Sequence, residues 1–119
     1  MGYHASWTDI PEVEGLPNNF RRAVAGFKSG ANRIRMIHPS GTPVHTHETE
    51  EQMVFMLEGA MEVEIAGESF RFSAGDVCVI PAGQPHCFRS LPDQGEVTFI
   101  ETFTPMRVQN LVGFLGKVF

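Results

Sequence analysis

Short apolar runs, each closed by turn residues, recur along most of this chain of 119 residues. The run from Ala60 to Ala66 is the clearest, because apolar side chains alternate there with Glu62 and Glu64, as in a strand with one wet face. Many short strands with evenly spaced turns indicate an all-β sandwich or barrel. The predicted strands are Phe20 to Lys28, Asn32 to His38, Met53 to Leu57, Ala60 to Ala66, Glu68 to Phe72, Val77 to Ile80, Cys87 to Leu91 and Glu96 to Phe103.

The composition supports one small domain, since 42% of the residues are apolar and can fill one core. We expect an N-terminal arm over residues 1–19, a single barrel over 20–105 and a helical segment over 106–119. The helix is predicted from apolar residues at helical spacing, which are Val108, Leu111, Val112 and Leu115. The net charge of -5, with only nine scattered basic residues, argues against a nucleic-acid partner.

The first twenty residues lack the apolar core of a signal peptide, and no run is long enough to span a bilayer. We therefore expect a cytoplasmic protein without a membrane partner. Cys78 and Cys87 form no C-x-x-C pair, and we interpret them as buried or half-buried free cysteines.

Two stretches concentrate side chains that bind metals. His45 and His47 are two positions apart, so on a strand both imidazoles leave the same face and can share one ion. Gln52 follows a polar turn, and Glu51 beside it is the alternative oxygen donor. A third histidine, His86, comes just after a Pro-x-Gly turn.

These two stretches resemble the two sequence motifs of the cupin superfamily. In the second motif Gly75, Pro81, Gly83 and His86 fall at the family's spacings, and Ser90 replaces its final Asn. In the first motif His45 and His47 match, the opening glycine is displaced to Gly41, and Gln52 stands where the family usually has Glu. The resemblance implies a cupin-type jelly-roll β-barrel of the small single-domain kind.

Three imidazoles with an amide oxygen suit one divalent transition metal ion, such as Ni, Zn, Fe, Co or Mn, and do not suit Ca or Mg. A neutral Gln in place of Glu leaves the ion's full charge in the site, which favours an anionic small-molecule substrate. The choice among these metals stays open.

A closer resemblance is to the pectin-degradation cupin, which linearises unsaturated uronates. That family carries a His, His, Gln, His metal set, which here corresponds to His45, His47, Gln52 and His86. It also has an acidic residue and an arginine where this chain has Glu101 and Arg107, although its acid is Asp. The resemblance implies that Glu101 moves protons and that Arg107 holds a substrate carboxylate.

Three functions remain open at this point. The first is a metal-dependent lyase- or isomerase-like enzyme that acts on a small carbohydrate acid by ring opening or tautomerisation. The second is an Fe-dependent dioxygenase of small molecules, and the third is a non-catalytic cupin that binds a small molecule. A structural ion pair between Glu101 and Arg107 is the alternative to their catalytic roles.

The strand after the histidine pair carries apolar residues on both faces. If Gln52, Val54 and Met56 point into the barrel, then Met53, Phe55 and Leu57 point outward. An apolar outer face on a small all-β domain is usually covered by a partner, so we expect a homodimer. Packing of these residues on the domain's own outer strands is the alternative.

Overall fold

The structure, a computed structural model, describes residues 4–106. It contains nine strands: β1 Val13–Glu14, β2 Asn19–Ala25, β3 Gly30–Ile37, β4 Glu51–Glu58, β5 Ala60–Ile65, β6 Glu68–Ser73, β7 Val77–Ile80, β8 His86–Ser90 and β9 Glu96–Thr104. All the strand pairs are antiparallel, and they form a six-stranded sheet in the order β1-β2-β3-β9-β4-β7 and a three-stranded sheet in the order β6-β5-β8. The predicted all-β, two-layered fold is confirmed.

The core lies between the two sheets and follows from the alternation of side chains along each strand. On β4 the side chains of Gln52, Val54 and Met56 are buried, while Phe55 and Leu57 are exposed. The core cluster also includes side chains from six other strands, which are Ile34, Met36, Met61, Val63, Phe72, Ile80, Phe88, Val97 and Phe99. The predicted parity of β4 is therefore correct, and it turns Gln52 toward the space between the sheets.

The segment with His45 and His47 differs from the sequence prediction, which placed both on a strand. It lies in the connection from β3 to β4, and only His45 forms an isolated bridge, to His86. Pro43 lacks a backbone N–H, which interrupts any ladder along this stretch. The segment is nevertheless fixed, because the backbone N–H of His45 and of His86 each donate to the other's carbonyl, at 3.0 and 2.9 Å.

Two motif glycines hold this segment against its neighbours. A Cβ at Gly41 would lie 2.7 Å from the Phe88 carbonyl oxygen, so only glycine allows the backbone this close to β8. Gly83 adopts a φ of 85° and donates its backbone N–H to the His47 carbonyl at 2.8 Å. Both contacts place the histidine-bearing connection over the open end of the barrel.

The described part of the predicted N-terminal arm contains a 3-10 turn at Trp7–Asp9 and the short strand β1. Apart from Met106, which follows β9 in an irregular conformation, the predicted C-terminal helical segment lies outside the described residues, and so does Arg107. Among residues 4–106, no helix has the length and apolar character needed to cross a bilayer.

Candidate metal centre

Three histidines converge at the open end of the barrel. Each of His45, His47 and His86 offers a ring nitrogen, and these three atoms lie within 4.8 Å of one another. The ring centroids are 4.3 Å apart for His45 and His86, and 4.9 and 5.0 Å for the two pairs that include His47. His47 and His86 are buried, and His45 is partly exposed. The structure thus brings together the three histidines that the two motifs separate by about forty residues.

Backbone carbonyls determine which nitrogen two of these rings offer. The Nδ1 atom of His45 lies 2.7 Å from the Pro43 carbonyl oxygen, and that of His86 lies 3.0 Å from the Gln84 carbonyl oxygen. A carbonyl oxygen only accepts hydrogen bonds, so Nδ1 carries the proton in both rings. The neutral ring then presents an unprotonated Nε2, which is the form that binds a metal.

A hydrogen-bonded group on the six-stranded sheet faces the histidines. Glu101 on β9 accepts hydrogen bonds from two side-chain amides, from Gln52 Nε2 on β4 at 2.7 Å and from Asn32 Nδ2 on β3 at 3.1 Å. These residues meet because Asn32 pairs with Glu101 across the sheet and Gln52 lies one strand further along. Two N–H donors match an ionised carboxylate, which has only acceptor sites.

This group also orients the Gln52 amide. Since Gln52 Nε2 donates to Glu101, the other end of the amide, Oε1, must point elsewhere. Oε1 is buried, and no hydrogen-bond donor reaches it from the described residues. A buried carbonyl oxygen without a partner is costly unless it binds something, and an amide oxygen is a suitable metal ligand.

The donor set therefore fits a divalent metal ion, with nitrogens from three histidines and Oε1 of Gln52 as its candidate ligands. Glu51, the alternative oxygen donor, is exposed and has the opposite parity on β4. Its carboxylate thus belongs to the outer face of the sheet. Among the two candidates that the sequence left open, only Gln52 faces the histidines.

A cavity of about 260 Å³ opens next to this cluster. It is lined by His45, His47, Gln52 and Glu101, and by the aromatic rings of Phe88, Phe99 and Phe103. The Phe103 ring packs edge-on against His47, at 5.4 Å between centroids. Ligand pockets commonly combine apolar walls with a few converging polar groups, and this cavity suits a small molecule.

Two polar residues of this region were not predicted from the sequence. Asn32 shares its face of β3 with the buried Ile34 and Met36, so a polar side chain in that alternation was a signal for a buried hydrogen bond. Arg21 lines the cavity from β2, where the inward face also carries Asn19 and the small residues Ala23 and Ala25. Parity alone could not identify Arg21, because apolar Phe20 and Val24 lie on the other face of this strand.

The two cysteines are not part of the site. Both are free, as predicted, and neither lines the cavity among the described residues. Burial raises the pKa of the Cys78 thiol to about 11, and burial also raises the pKa of Cys87. Both thiols are therefore protonated at neutral pH, which disfavours a thiolate nucleophile or ligand.

Residues 33–103 match the family model described as Cupin domain. The match spans more than half of the chain and includes both histidine motifs and the strand with Glu101. The chain belongs to the cupin family, as the motifs predicted.

Curated relatives agree with this assignment. The chain is 30% identical over 115 residues to polyketide synthase CurC of Streptomyces cyaneus, a match that covers 88% of this chain and 73% of that protein. It is 36% identical over 47 residues to quercetin 2,3-dioxygenase of Bacillus subtilis (strain 168). That second match covers 40% of this chain and only 14% of the dioxygenase.

Among solved structures, KdgF from Halomonas sp. superposes on this chain with a TM-score of 0.82 and 24% sequence identity. The superposition covers 91% of this chain and 98% of that one. It supports the predicted resemblance to the pectin-degradation cupin at the level of the fold.

Proposed function

We propose that this cupin is a metal-dependent isomerase-like enzyme that opens the ring of a small unsaturated uronate and yields the open-chain keto acid. The observation that carries the proposal is the position of Glu101. Glu101 lines the same cavity as His45 and His47, and its carboxylate is held by Gln52 and Asn32. A fixed carboxylate beside a candidate metal site can move protons during a reaction.

The reaction needs one proton to move from oxygen to carbon. Glu101 accepts the proton of the hydroxyl at the hemiacetal carbon as the bond from that carbon to the ring oxygen breaks, which leaves an aldehyde and an enolate. Glu101 then returns the same proton to the alkene carbon, which gives the ketone. A bound dication supplies stabilisation of the negative charge on oxygen. The atoms balance without any co-reactant.

The other residues of the cavity bind and shield the substrate. The rings of Phe88, Phe99 and Phe103 exclude water from one side of the cavity. Arg107, which lies outside the described residues, is proposed to be one of the donors that hold the substrate carboxylate, through its planar fork. Asn32 and Gln52 keep the Glu101 carboxylate in one orientation.

The test is the loss of ultraviolet absorbance from the conjugated alkene acid of several unsaturated uronates, followed with metal-loaded protein. We expect the absorbance to fall faster than in buffer, and we expect the His45→Ala, His47→Ala double variant to match buffer. No change for any of these substrates, with Ni, Zn, Fe, Co or Mn in the site, would contradict the proposal.

A second candidate is an enzyme that acts on a polyketide intermediate. The similarity to polyketide synthase CurC over 115 residues favours it, and the three phenylalanines of the cavity wall suit an aromatic substrate. The dioxygenase alternative is supported by a match of 47 residues. It requires iron and dioxygen, so consumption of dioxygen by the iron-loaded protein separates it from both other functions.

We also propose that the protein is a homodimer. The outer face of β4 and of the edge strand β7 carries Phe55, Leu57, Val77 and Val79, which are 37%, 43%, 57% and 46% exposed. Phe55 pairs with Val77 across the two strands, so these side chains form one continuous patch. A second copy presents the same apolar patch, which makes a two-fold interface self-complementary.

Light scattering of the variant Phe55→Glu tests the dimer. Burying a carboxylate without a partner in an apolar interface costs several kcal/mol, so the variant should run as a monomer or aggregate. Phe70→Glu is the matched control, because Phe70 is 38% exposed on the other sheet and should leave the dimer intact. A wild-type protein that is monomeric at every concentration would contradict the proposal.

A further inference from the structure

We propose that Arg21 is an anion-binding residue at the wall of the cavity and that it selects substrates with a carboxylate. The inference deepens the proposed function, on which its substrate class rests. Arg21 lies on β2 with inward parity and lines the same cavity as His45, His47 and Glu101. Among the described residues that line the cavity, it is the only cation.

In the described part of the chain, the Arg21 side chain also lacks a hydrogen-bond or ion-pair partner. Its Nε atom is buried and reaches no hydrogen-bond acceptor among the described residues. Glu101 is the only acidic residue among those that line the cavity in the described part of the chain, and there it accepts hydrogen bonds from Asn32 and Gln52. A buried donor without an acceptor destabilises the fold unless a ligand supplies one.

Several arginines elsewhere in the described part of the chain have partners. Arg22, the next residue on β2, points outward and donates to the carbonyl oxygens of Trp7 and Ile10 at 3.1 and 2.8 Å. Arg89, on the outer face of the small sheet, binds Glu62 and Glu64 at 2.8 and 2.9 Å. Acidic partners are thus available in this chain, and Arg21 is left without one at the wall of the cavity.

The guanidinium suits an anionic substrate group, and the carboxylate of the proposed uronate is such a group. The guanidinium presents a planar fork of donors that binds both carboxylate oxygens at once, and it stays charged at every physiological pH. Arg21 pairs with Ile34, which in turn pairs with Phe99 on β9, so it enters the cavity two strands away from the strand of Glu101. Neighbouring strands are about 4.8 Å apart, which separates the two strand axes by roughly 10 Å.

This separation defines the ligand as a small organic acid that reaches across the cavity. Its carboxylate would lie on Arg21, at the wall formed by β2, and its reacting oxygens would lie toward the histidines and Glu101. A neutral sugar of the same size would leave the buried Nε of Arg21 without an acceptor. Discrimination against the neutral analogue is therefore expected to be strong.

Titration calorimetry with saturated uronates, such as D-galacturonate and D-glucuronate, tests this inference on the metal-loaded protein. These acids lack the alkene that reacts in the proposed isomerisation, so binding is measured without turnover. Their neutral counterparts, D-galactose and D-glucose, are the reference ligands. We expect the wild type to bind at least one acid more tightly than its neutral counterpart.

In Arg21→Gln the Kd for that acid should rise about 10- to 100-fold, with the Kd for the neutral sugar unchanged, because a charge-assisted hydrogen bond is lost. Arg21→Lys keeps the charge without the planar fork, so its Kd for the acid should lie between those of the wild type and Arg21→Gln. Arg71→Gln removes a cation from the other sheet, where Arg71 meets Asp93 at 3.5 Å, and should bind like the wild type. Circular dichroism and metal content verify that each variant is folded and loaded.

An unchanged Kd for the acid in Arg21→Gln would overturn the inference. An equal loss of affinity for the acid and for the neutral sugar in this variant would also overturn it. A wild type that binds none of the acids more tightly than the neutral sugars would also overturn it. Failure of the proposed reaction is a separate result. It appears as unchanged absorbance of unsaturated uronates, even where the saturated acids still bind through Arg21.

Discussion

Polar side chains on the two faces of the six-stranded sheet differ in whether all their groups have hydrogen-bond partners among the described residues. Arg21 and Arg22 are neighbours on β2, yet Arg22 donates to two backbone carbonyls on the outer face, while the buried Nε of Arg21 reaches no acceptor among the described residues. On β4, the inward Gln52 keeps a buried oxygen without a donor among the described residues. The outward Arg35 on β3 instead binds both oxygens of Glu12, at 3.1 and 2.9 Å.

The difference indicates where the molecule gives up stability for function. The paired polar groups of the outer face show that this chain can supply hydrogen-bond donors and acceptors to its own side chains. The inner-face groups that lack partners among the described residues, Arg21 Nε and Gln52 Oε1, belong to residues that line one cavity together with His45 and His47. Buried polar groups that lack partners are rare in folded proteins, so their concentration here indicates a site that a metal ion and a substrate complete.

The largest effect should follow from a change on the inner face that removes the proposed base. In Glu101→Gln we expect kcat to fall by roughly two orders of magnitude or more, since general acid-base groups contribute this much. The substitution also puts an amide where Asn32 and Gln52 both donate, and Asn32 can turn its own amide to accept. Metal content should therefore stay unchanged.

The double variant Asn32→Asp, Glu101→Gln separates a proton carrier from a purely positioning residue. The new carboxylate at position 32 accepts the amide hydrogens of position 101, and the amide oxygen at position 101 accepts from Gln52 as before. If Glu101 moves protons, the double variant stays inactive. Recovery of wild-type kcat would show that Glu101 acts only by holding Gln52.

A smaller effect should distinguish neighbouring residues on opposite faces of β4. Gln52→Ala removes the proposed oxygen ligand, so we expect metal affinity to fall by about 10- to 100-fold, on the scale known for residues that support metal sites. Glu51→Ala changes an exposed side chain of the outer face and should bind metal like the wild type. Competition with a chromogenic chelator measures both, and the opposite result would move the ligand to Glu51.

The smallest effect should come from the outer face. Hydrogen bonds from Arg35 hold the pKa of Glu12 below its usual value. A lowered folded-state pKa gives stability that is present above the usual glutamate pKa and is lost as the pH falls through the folded-state value. Glu12→Gln should cost about 1 kcal/mol or less at neutral pH, because the pair is at the surface.

Urea unfolding checks this prediction at neutral pH and in acid. The difference between wild type and Glu12→Gln should shrink as the pH falls, while metal content stays equal in both. A difference that grows in acid would contradict the assigned pKa direction. Loss of metal in this variant would contradict the view that only the inner face of the six-stranded sheet contributes to metal binding.

Much of the fold could be predicted because side-chain alternation is a local property. The strand β7 begins and ends where the sequence placed it, and the other main strands differ only at their ends. The three histidines could be predicted to meet because the spacing of Gly75, Pro81, Gly83 and His86 reports a fixed turn geometry. The parity of β4 followed from the same rule and placed Gln52 inside.

The rest depended on contacts between residues far apart in the chain. Asn32 and Glu101 are 69 positions apart, and their hydrogen bond follows from the register of β3 and β9, which no local pattern specifies. The inward direction of the Arg21 side chain could not be predicted, because the inward residues of β2 include the small Ala23 and Ala25. The irregular path of His45 and His47 arises from one bridge to His86 and from Pro43.

Gln52, on the inner face of the six-stranded sheet, and the three histidines are proposed to form one metal site. Elemental analysis of the purified protein, beside the double variant His45→Ala, His47→Ala, tests this proposal most directly. We predict about one divalent transition metal ion per chain in the wild type and none in the double variant, because the variant loses two of the converging nitrogens. Equal metal content in the two proteins would contradict the proposed metal site.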